Sequence, residues 1–318
     1  MGIGIYWVIS WSSQAPTLDD PCQSMSAAAA AMTAATAAAI SSARPRFVVW
    51  FRSDLRIHDN PILNKIAAIP GSKEVVPVYC FDPRHFAKDA PHTRGCAKTG
   101  ALRANFMRES VADLRNSLRA CGSDLLVGVG KPEDILPTLV QPASVGPTTF
   151  VCQEQVTSEE LSVDRAVVSA LKTAHTSSTD APRVACQWSG TLYDDKEIKT
   201  LFGDDCSSLP DVFTPFRNKI EAKLDVPPPL ATPKKGSLPL PTDVAAVASG
   251  SAAVASGCGF DSIPSLSDLG FTTEEAAAVG TADPRGAMPF PGGESAALAR
   301  LQHYIWDADC LGTYVTDD

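Results

Sequence analysis

The chain has 318 residues, of which 44% are hydrophobic and 20% are charged, proportions that are ordinary for a globular protein. The formal net charge of −9 gives no support to a nucleic-acid partner, because a surface that neutralises phosphates should be basic; a local basic patch stays open. The nine cysteines are scattered, include no CxxC pair and show no Cys/His clustering, which disfavours a zinc site and favours buried thiols of a reduced compartment.

Residues 1–45 are predicted to be a disordered or targeting segment. Ser26 to Ala43 is almost entirely Ala, Ser and Thr, which offers too little apolar surface to bury. If Met25 is the true start, the acid-free stretch that follows it is typical of a transit peptide for the chloroplast or mitochondrion. A low-complexity tail of a cytoplasmic or nuclear protein is the alternative. No membrane span is predicted here, because alanine is weakly apolar and hydroxyl residues interrupt the run.

From Arg46 onward, short apolar runs alternate with helical patterns. The predicted strands are RFVVWF (46–51), EVVPVYCF (74–81), DLLVGV (124–129), TFVCQ (149–153) and RVACQW (183–188). Helices are predicted from Pro61 after an Asn60 cap, over 98–121, over 132–140 and over 158–171. In the second of these, the predicted buried face consists of Leu102, Phe106, Leu114 and Leu118. This alternation predicts an α/β domain over 46–200 with a doubly wound, five-stranded parallel sheet.

After Asp195 the alternation stops. We predict a helical connector over 201–225, which contains LPDVFTPFRNKIEAK, and a linker with a low-complexity insertion over 226–290. The last segment, 291–318, is predicted to contain a closing helix from Ser295 to Tyr314, with Leu298, Leu301 and Ile305 on one side.

The candidate ligand sites are the loops after the strands, because doubly wound sheets bind ligands at the carboxyl ends of their strands. The first loop holds Arg52, Asp54, Arg56, His58 and Asp59. Two interpretations stay open: a phosphate or carboxylate site, or arginine and aspartate side chains that pair and brace the loop. The fingerprints GxGxxG after the first strand and GxxxxGK[ST] are missing, and neither catalytic residues nor metal ligands are predicted.

Several stretches resemble the photolyase/cryptochrome family, and DASH-type cryptochromes in particular. They include WFRSDLRIHDNPIL (50–63), VPVYCFDPRHF (76–86), the run 98–140, WSGTLY (188–193), LPDVFTPFRNKIEAK (209–223) and FPGGESAALARLQHYIWDADCLGTY (290–314). The resemblance implies a Rossmann-like α/β domain with a folate antenna, followed by an all-helical domain that binds FAD. It also implies blue-light-dependent repair of cyclobutane pyrimidine dimers in single-stranded DNA, blue-light photoreception, or both.

The resemblance places Tyr314 at the opening of the family's FAD site. The residues after it, VTDD, depart from the family pattern, so we expect the FAD-binding domain to be truncated and this chain to be inactive alone. Whether the chain is a deoxyribodipyrimidine photo-lyase is therefore left open. The alternative is a non-catalytic α/β interaction or regulatory module, which would bind a protein partner through the exposed C-terminal helix.

The resemblance also implies an antenna site for 5,10-methenyltetrahydrofolate. Its α/β side would consist of Phe81, Asp82, Pro83, Arg84 and Phe86 after the second strand and Gln155 after the fourth. Gln155 stands where the family has a glutamate. An amide can still bond a pterin but loses the charge-assisted hydrogen bond, so we expect weak or no folate binding by the isolated chain.

Overall fold

The structure is a computed structural model that describes residues 44–86, 98–140, 147–174, 182–242, 262–280 and 290–313. The predicted targeting segment lies outside these residues, apart from Arg44 and Pro45, and so does Tyr314.

A parallel five-stranded sheet forms the centre of the domain, as the alternation of strands and helices predicts. Its strands are β1 Arg46–Phe51, β2 Glu74–Phe81, β3 Leu126–Val129, β4 Thr148–Gln153 and β5 Arg183–Gln187, in the spatial order β3-β2-β1-β4-β5. Every residue of β1 and β2 is buried, as expected for strands that are covered on both faces. The prediction of a doubly wound α/β fold is confirmed.

The helices that flank and follow the sheet are numbered in chain order. They are α1 Pro61–Ala68, α2 Ala101–Ala120, α3 Pro132–Leu139, α4 Ser158–Ala174, α5 Asp195–Phe202, α6 Phe213–Glu221, α7 Thr273–Val279, α8 Glu294–Gln302 and α9 Cys310–Thr313. The predicted start of α1 is confirmed, since the Asn60 side chain accepts a hydrogen bond from the Leu63 N–H at 3.0 Å. Among the residues described, no helix is long and apolar enough to cross a bilayer.

Two hydrophobic cores lie on the two faces of the sheet. One face packs against α1 and α2, through residues such as Leu63, Ile66 and Leu114. The other face packs against α3 and α4, through residues such as Ile135 and Val167. The helices therefore cover both faces, which gives the arrangement its two layers of crossover helices.

The buried face of α2 differs from the predicted one. Leu114 and Leu118 are fully buried, but Leu102 is 71% exposed and Phe106 is 46% exposed. The reason is geometric: a spacing of four residues advances about 40° beyond one full turn, so a run of such steps drifts around the helix. Leu102 and Leu118 consequently lie on nearly opposite sides of α2.

The predicted helix from Ser295 to Tyr314 is interrupted. After α8 a π-helical turn, His303–Asp307, is closed by the Ala308 N–H donating to the His303 carbonyl at 2.9 Å. Asp309 then takes a left-handed conformation with φ of 47°, after which α9 begins. The π turn breaks the i to i−4 pattern from His303 onward, so the predicted side at Leu298 and Leu301 does not continue with regular helical spacing to Ile305.

Part of the predicted linker packs on the domain. Leu238 is fully buried in the core between the sheet and α2, and the Val75 N–H donates to the Pro239 carbonyl at 2.8 Å. Leu266 and Phe271 join the same core, and the rings of Phe271 and Phe86 meet edge to face at 6.1 Å. These described parts of 226–290 are therefore attached to the α/β domain, while the predicted domain boundaries stay a prediction.

Candidate functional site

The crevice at the carboxyl ends of β1 and β4 is the position where a doubly wound sheet binds its ligands. The two strands are neighbours in the sheet, but the chain after β1 enters α1 on one face and the chain after β4 enters α4 on the other. The two connecting loops diverge and leave a gap between them. A small pocket at this point is lined by residues that include Arg52, Asp54, Gln153 and Ser189.

Three polar side chains meet at this crevice. The Ser53 hydroxyl donates to the carbonyl oxygen Oε1 of Gln153 at 3.2 Å, and Gln155 Nε2 donates to the same oxygen at 3.3 Å. A Cβ at Gly190 would lie 3.2 Å from Gln153 Nε2, so a glycine there allows the close approach. Within the described residues the Gln155 amide makes this one hydrogen bond, which leaves its carbonyl oxygen and its other N–H for a ligand.

Arg52 forms one wall of the crevice and is held against α4. Its guanidinium lies 4.4 Å from the centre of the Trp50 ring, and its Nη1 donates to Asp164 Oδ1 at 2.5 Å. Its Nη2 donates to the Glu160 carbonyl at 3.5 Å. Burial raises the pKa of Asp164, and the charge of Arg52 opposes that rise. Together these two contacts tie Arg52 to the first two turns of α4.

The charged loop after β1 is braced by its own side chains. Arg56 donates to Asp54 at 2.9 Å, to Asp59 at 3.1 Å and to the Ser189 carbonyl at 3.4 Å. Burial raises the pKa of Asp54, although Arg56 acts in the opposite direction. Of the two interpretations left open by the sequence, the structure supports the bracing one, because these guanidinium and carboxylate groups are already paired.

The same loop is fastened to α8. Both carboxylate oxygens of Glu294 accept hydrogen bonds, from the backbone N–H of Ile57 at 2.9 Å and from that of His58 at 3.0 Å. His58 thus contributes its backbone N–H to this contact. The Glu294 contact joins the first strand–helix connection to a helix far along the chain.

The predicted antenna residues after β2 have structural contacts of their own. Phe81 and Phe86 are both buried in the core between the sheet and α2. Asp82 caps the short 3₁₀-helix Pro83–His85 through the Arg84 N–H at 2.9 Å. Pro83 is exposed. The prediction that these residues contact folate stays a prediction.

Arg84 lies between two carboxylates. It donates to Asp82 at distances down to 2.6 Å and to both oxygens of Glu133 at 2.9 Å. The hydrogen bonds that Arg84 donates to Asp82, and then the charges of both acids, hold the pKa of Arg84 above its ordinary value. This network ties the loop after β2 to α3.

The loop after β2 and the start of α4 face each other across β1. Half-buried His85 has its pKa lowered by burial, while the negative charges of Asp82 and Glu160 act to raise it. Lys98, which also lowers that pKa, forms an ion pair with Glu159 in the first turn of α4. The charges of Lys98 and Glu160 thus act on His85, and among the described residues no direct hydrogen bond joins Gln155 to the 81–86 loop.

Sequence reasoning missed Gln153, Glu294 and the Arg52–Asp164 pair as parts of the site. A signal for Glu294 was present in the two glycines before it. A Cβ at Gly292 would lie 2.2 Å from the Phe106 carbonyl oxygen. Two glycines directly before a helix are typical of a close backbone approach, here to α2.

Comparison with known proteins identifies relatives over most of the chain. The sequence model of the DNA photolyase family matches residues 47–234. The chain is 38% identical over 281 residues to "Cryptochrome DASH, chloroplastic/mitochondrial" of Ostreococcus tauri, covering 85% of this chain and 48% of that protein. It is 39% identical over 267 residues to "Cryptochrome DASH" of Gloeobacter violaceus, covering 84% and 46%. The crystal structure of the Synechocystis sp. PCC6803 cryptochrome is similar with a TM-score of 0.64 and 31% identity, over 86% of this chain and 49% of that one.

Proposed function

The chain belongs to the DNA photolyase family, and on that premise we propose that it provides the antenna-side α/β domain of a DASH-type cryptochrome. The chain spans about half the length of the curated relatives that it matches. The activity of the whole protein is therefore part of the proposal: blue-light-dependent repair of cyclobutane pyrimidine dimers in single-stranded DNA, blue-light photoreception, or both, with FAD as the redox cofactor.

The observation that supports an antenna role is the amide group of Gln155 at the crevice above β1. A pterin ring presents adjacent hydrogen-bond donors and acceptors along one edge, and a carboxamide offers both in the same plane. Gln155 has an acceptor and a donor available, and it is held by its hydrogen bond to Gln153, which also accepts one from Ser53. The donor set therefore fits the edge of 5,10-methenyltetrahydrofolate.

Bound folate would supply near-ultraviolet absorption and pass excitation energy to the flavin. The residues of this chain would bind and orient it: Gln155 would pair with the pterin edge, and Arg52 would keep the first turn of α4 in position. Tyr314 is the one residue of this chain that the resemblance assigns to the FAD site, and it lies outside the described residues.

Co-elution tests the antenna proposal. The purified chain is mixed with 5,10-methenyltetrahydrofolate and passed over a gel-filtration column while near-ultraviolet absorbance is followed. We expect little or no near-ultraviolet absorbance to elute with the isolated chain, because a neutral amide replaces the family's carboxylate and weakens folate binding. A stable co-eluting complex that absorbs in the near ultraviolet would contradict this expectation.

Repair activity tests the function of the whole protein. The protein that carries this sequence is incubated with single-stranded DNA that contains one pyrimidine dimer, in blue light and in darkness. We expect light-dependent loss of the dimer together with reduction of the flavin. Light-dependent flavin reduction without repair would favour photoreception, and the absence of both would contradict the proposal.

Exposed apolar side chains after Gly293 favour a second candidate, a non-catalytic interaction module. Trp306 is 63% exposed, and Leu298, Leu301 and Leu311 are also exposed. Exposed apolar groups at this density are typical of a surface that binds a partner. If this second function is correct, substitution of Trp306 and Leu311 by serine should abolish any self-association of the chain and leave a monodisperse monomer. Light scattering measures the change.

An organelle location is proposed from the relatives and the first 45 residues. The Ostreococcus tauri and rice proteins are both named chloroplastic/mitochondrial. A fusion of residues 25–60 to a fluorescent protein should accumulate in one of these organelles, and diffuse fluorescence throughout the cell would contradict the proposal.

A further inference from the structure

Two cysteines lie side by side on neighbouring strands of the sheet. Cys152 of β4 and Cys186 of β5 are directly opposite each other in the parallel register. Their sulfur atoms are 3.7 Å apart, within hydrogen-bonding distance for thiols. The structure therefore holds two thiols in contact that are 34 residues apart along the chain.

The two thiols differ in their access to solvent. Cys152 is 3% exposed and belongs to the core beneath α4. Cys186 is partly exposed and lies on β5, which is the outermost strand on that side of the sheet. Because Cys186 is partly exposed, a small reagent can reach it more readily than it can reach the buried Cys152.

The backbone geometry is compatible with a covalent bond between them. Neighbouring strands lie about 4.8 Å apart, which is within the range of roughly 4.4–6.8 Å seen between the Cα atoms of disulfide-bonded cysteines. The sulfur atoms must approach to about 2.05 Å. Rotation about the side-chain torsions of both residues can share this movement.

We propose that Cys152 and Cys186 form a site of reversible oxidation by low-molecular-weight disulfides. The Cys186 thiolate attacks a glutathione disulfide, forms a mixed disulfide and releases one glutathione thiolate. The Cys152 thiolate then attacks the Cys186 sulfur, forms the Cys152–Cys186 bond and releases the second glutathione thiolate. The two protein thiols lose two electrons and two protons, and one glutathione disulfide is reduced to two glutathione molecules.

The bond would form next to the candidate ligand crevice. Gln153 follows Cys152 directly, and its side chain accepts the hydrogen bonds of Ser53 and Gln155. A change in the separation of β4 and β5 at this point is transmitted to the position of the Gln153 carboxamide. The oxidation proposal itself stands on the thiol geometry and does not rest on the proposed function.

Peptide mapping of the whole chain tests the site. The protein is reduced with dithiothreitol, freed of reductant, incubated with glutathione disulfide, alkylated and digested without reduction. We expect a peptide pair linked through Cys152 and Cys186 in most of the molecules, which disappears when dithiothreitol is added back. Recovery of both cysteines in the alkylated form, or a glutathione adduct on Cys186 that persists in the wild-type chain, would overturn the proposal.

Two variants separate the chemical steps. In Cys152→Ser the mixed disulfide has no second thiol to resolve it, so glutathione should remain on Cys186. Cys206→Ser, at another partly exposed thiol, should leave the yield of the linked peptide unchanged. A Cys152→Ser chain that melts like the wild type yet carries no adduct on Cys186 would contradict the assigned order of attack.

Discussion

Arg46 and Glu74 form an ion pair that is almost completely enclosed at the first positions of β1 and β2. The Arg46 Nη2 and Nε atoms donate to the same Glu74 oxygen at 2.8 and 3.0 Å, and the side chains are 1% and 5% exposed. The two residues are also direct neighbours in the parallel register. The pair thus fixes the alignment of the two central strands with a charge contact that water does not screen.

Removal of the Glu74 charge should destabilise the domain strongly. In Glu74→Gln a buried guanidinium loses its carboxylate, which costs about 3–5 kcal/mol in the free energy of unfolding. Glu221→Gln is the matched control, because Glu221 pairs with Arg217 at 3.7 Å on the surface. Exposed pairs contribute roughly 0–1 kcal/mol. Urea unfolding followed by far-ultraviolet circular dichroism measures both, and equal losses would contradict the assigned role.

Two leucines of α2 should respond differently to truncation. Leu118→Ala leaves a cavity in the core and should lower the free energy of unfolding by about 2–5 kcal/mol. Leu102→Ala removes an exposed side chain and should change it by less than about 0.5 kcal/mol. The comparison of the two urea midpoints tests which side of α2 faces the sheet.

A methyl group at Gly292 should loosen the junction between α8 and the loop after β1. The added Cβ would meet the Phe106 carbonyl oxygen at 2.2 Å and the Ser110 hydroxyl at 2.7 Å. Overpacking of this kind costs about 1–3 kcal/mol. We expect faster hydrogen exchange at the amides of Ile57 and His58, which donate to Glu294.

Gly280→Ala is the control for that substitution. Gly280 has a helical φ of −75°, and a Cβ there would approach no closer than 3.7 Å to the Ala277 carbonyl. Unchanged exchange at Ile57 and His58 in Gly292→Ala would show that Glu294 keeps its place without the glycine.

A carboxylate at position 155 should strengthen folate binding. Gln155→Glu restores a charge-assisted hydrogen bond to a pterin N–H, which is worth about 1–2 kcal/mol more than a neutral one, or roughly a five- to thirtyfold lower Kd. The same change at Gln302, far along the chain in α8, serves as the control. Fluorescence titration with 5,10-methenyltetrahydrofolate gives the two Kd values, and an equal effect of both substitutions would argue against the crevice.

The stability of the domain should fall as the pH drops through the titration of His85. Burial lowers the pKa of His85 from 6.5, so the unfolded chain takes up the proton at a higher pH than the folded protein does. Between the two pKa values the unfolded state holds more protons, and the free energy of unfolding therefore rises with pH. The contribution is complete above pH 6.5 and is lost as the pH falls through the folded-state pKa.

Replacement of His85 removes this contribution. His85→Gln should flatten the dependence of the urea midpoint on pH below pH 6.5, because the folded-state pKa lies below that value. His303→Gln, at an exposed histidine, should leave the dependence as it is in the wild type. If the urea midpoints of all three proteins change with pH in parallel, His85 is excluded as the source of the pH dependence.

The strands were predictable because each is a short apolar run between loops, and the order of elements then fixed the sheet. The buried face of α2 was not predictable, since Leu102 and Phe106 are apolar residues on an exposed surface. A spacing of four residues also hides the gradual rotation of such positions around the helix. The contacts of Glu294 and Leu238 join positions far apart in the chain, and a local pattern cannot report them. The charged loop after β1 left two interpretations open because its residues suit an internal brace and an anion equally.

The burial of Leu238, Leu266 and Phe271 against the sheet also has a consequence for the protein during its synthesis. The face that packs on α1 and α2 cannot be covered when β5 leaves the ribosome, because these three side chains emerge much later. Domains fold as their segments are synthesised, and an apolar face that stays exposed during synthesis can associate with other chains. Translation speed through the Pro- and Ala-rich stretch after Leu224 should therefore influence the yield of native protein, although none of the residues that the structure describes there belongs to the sheet.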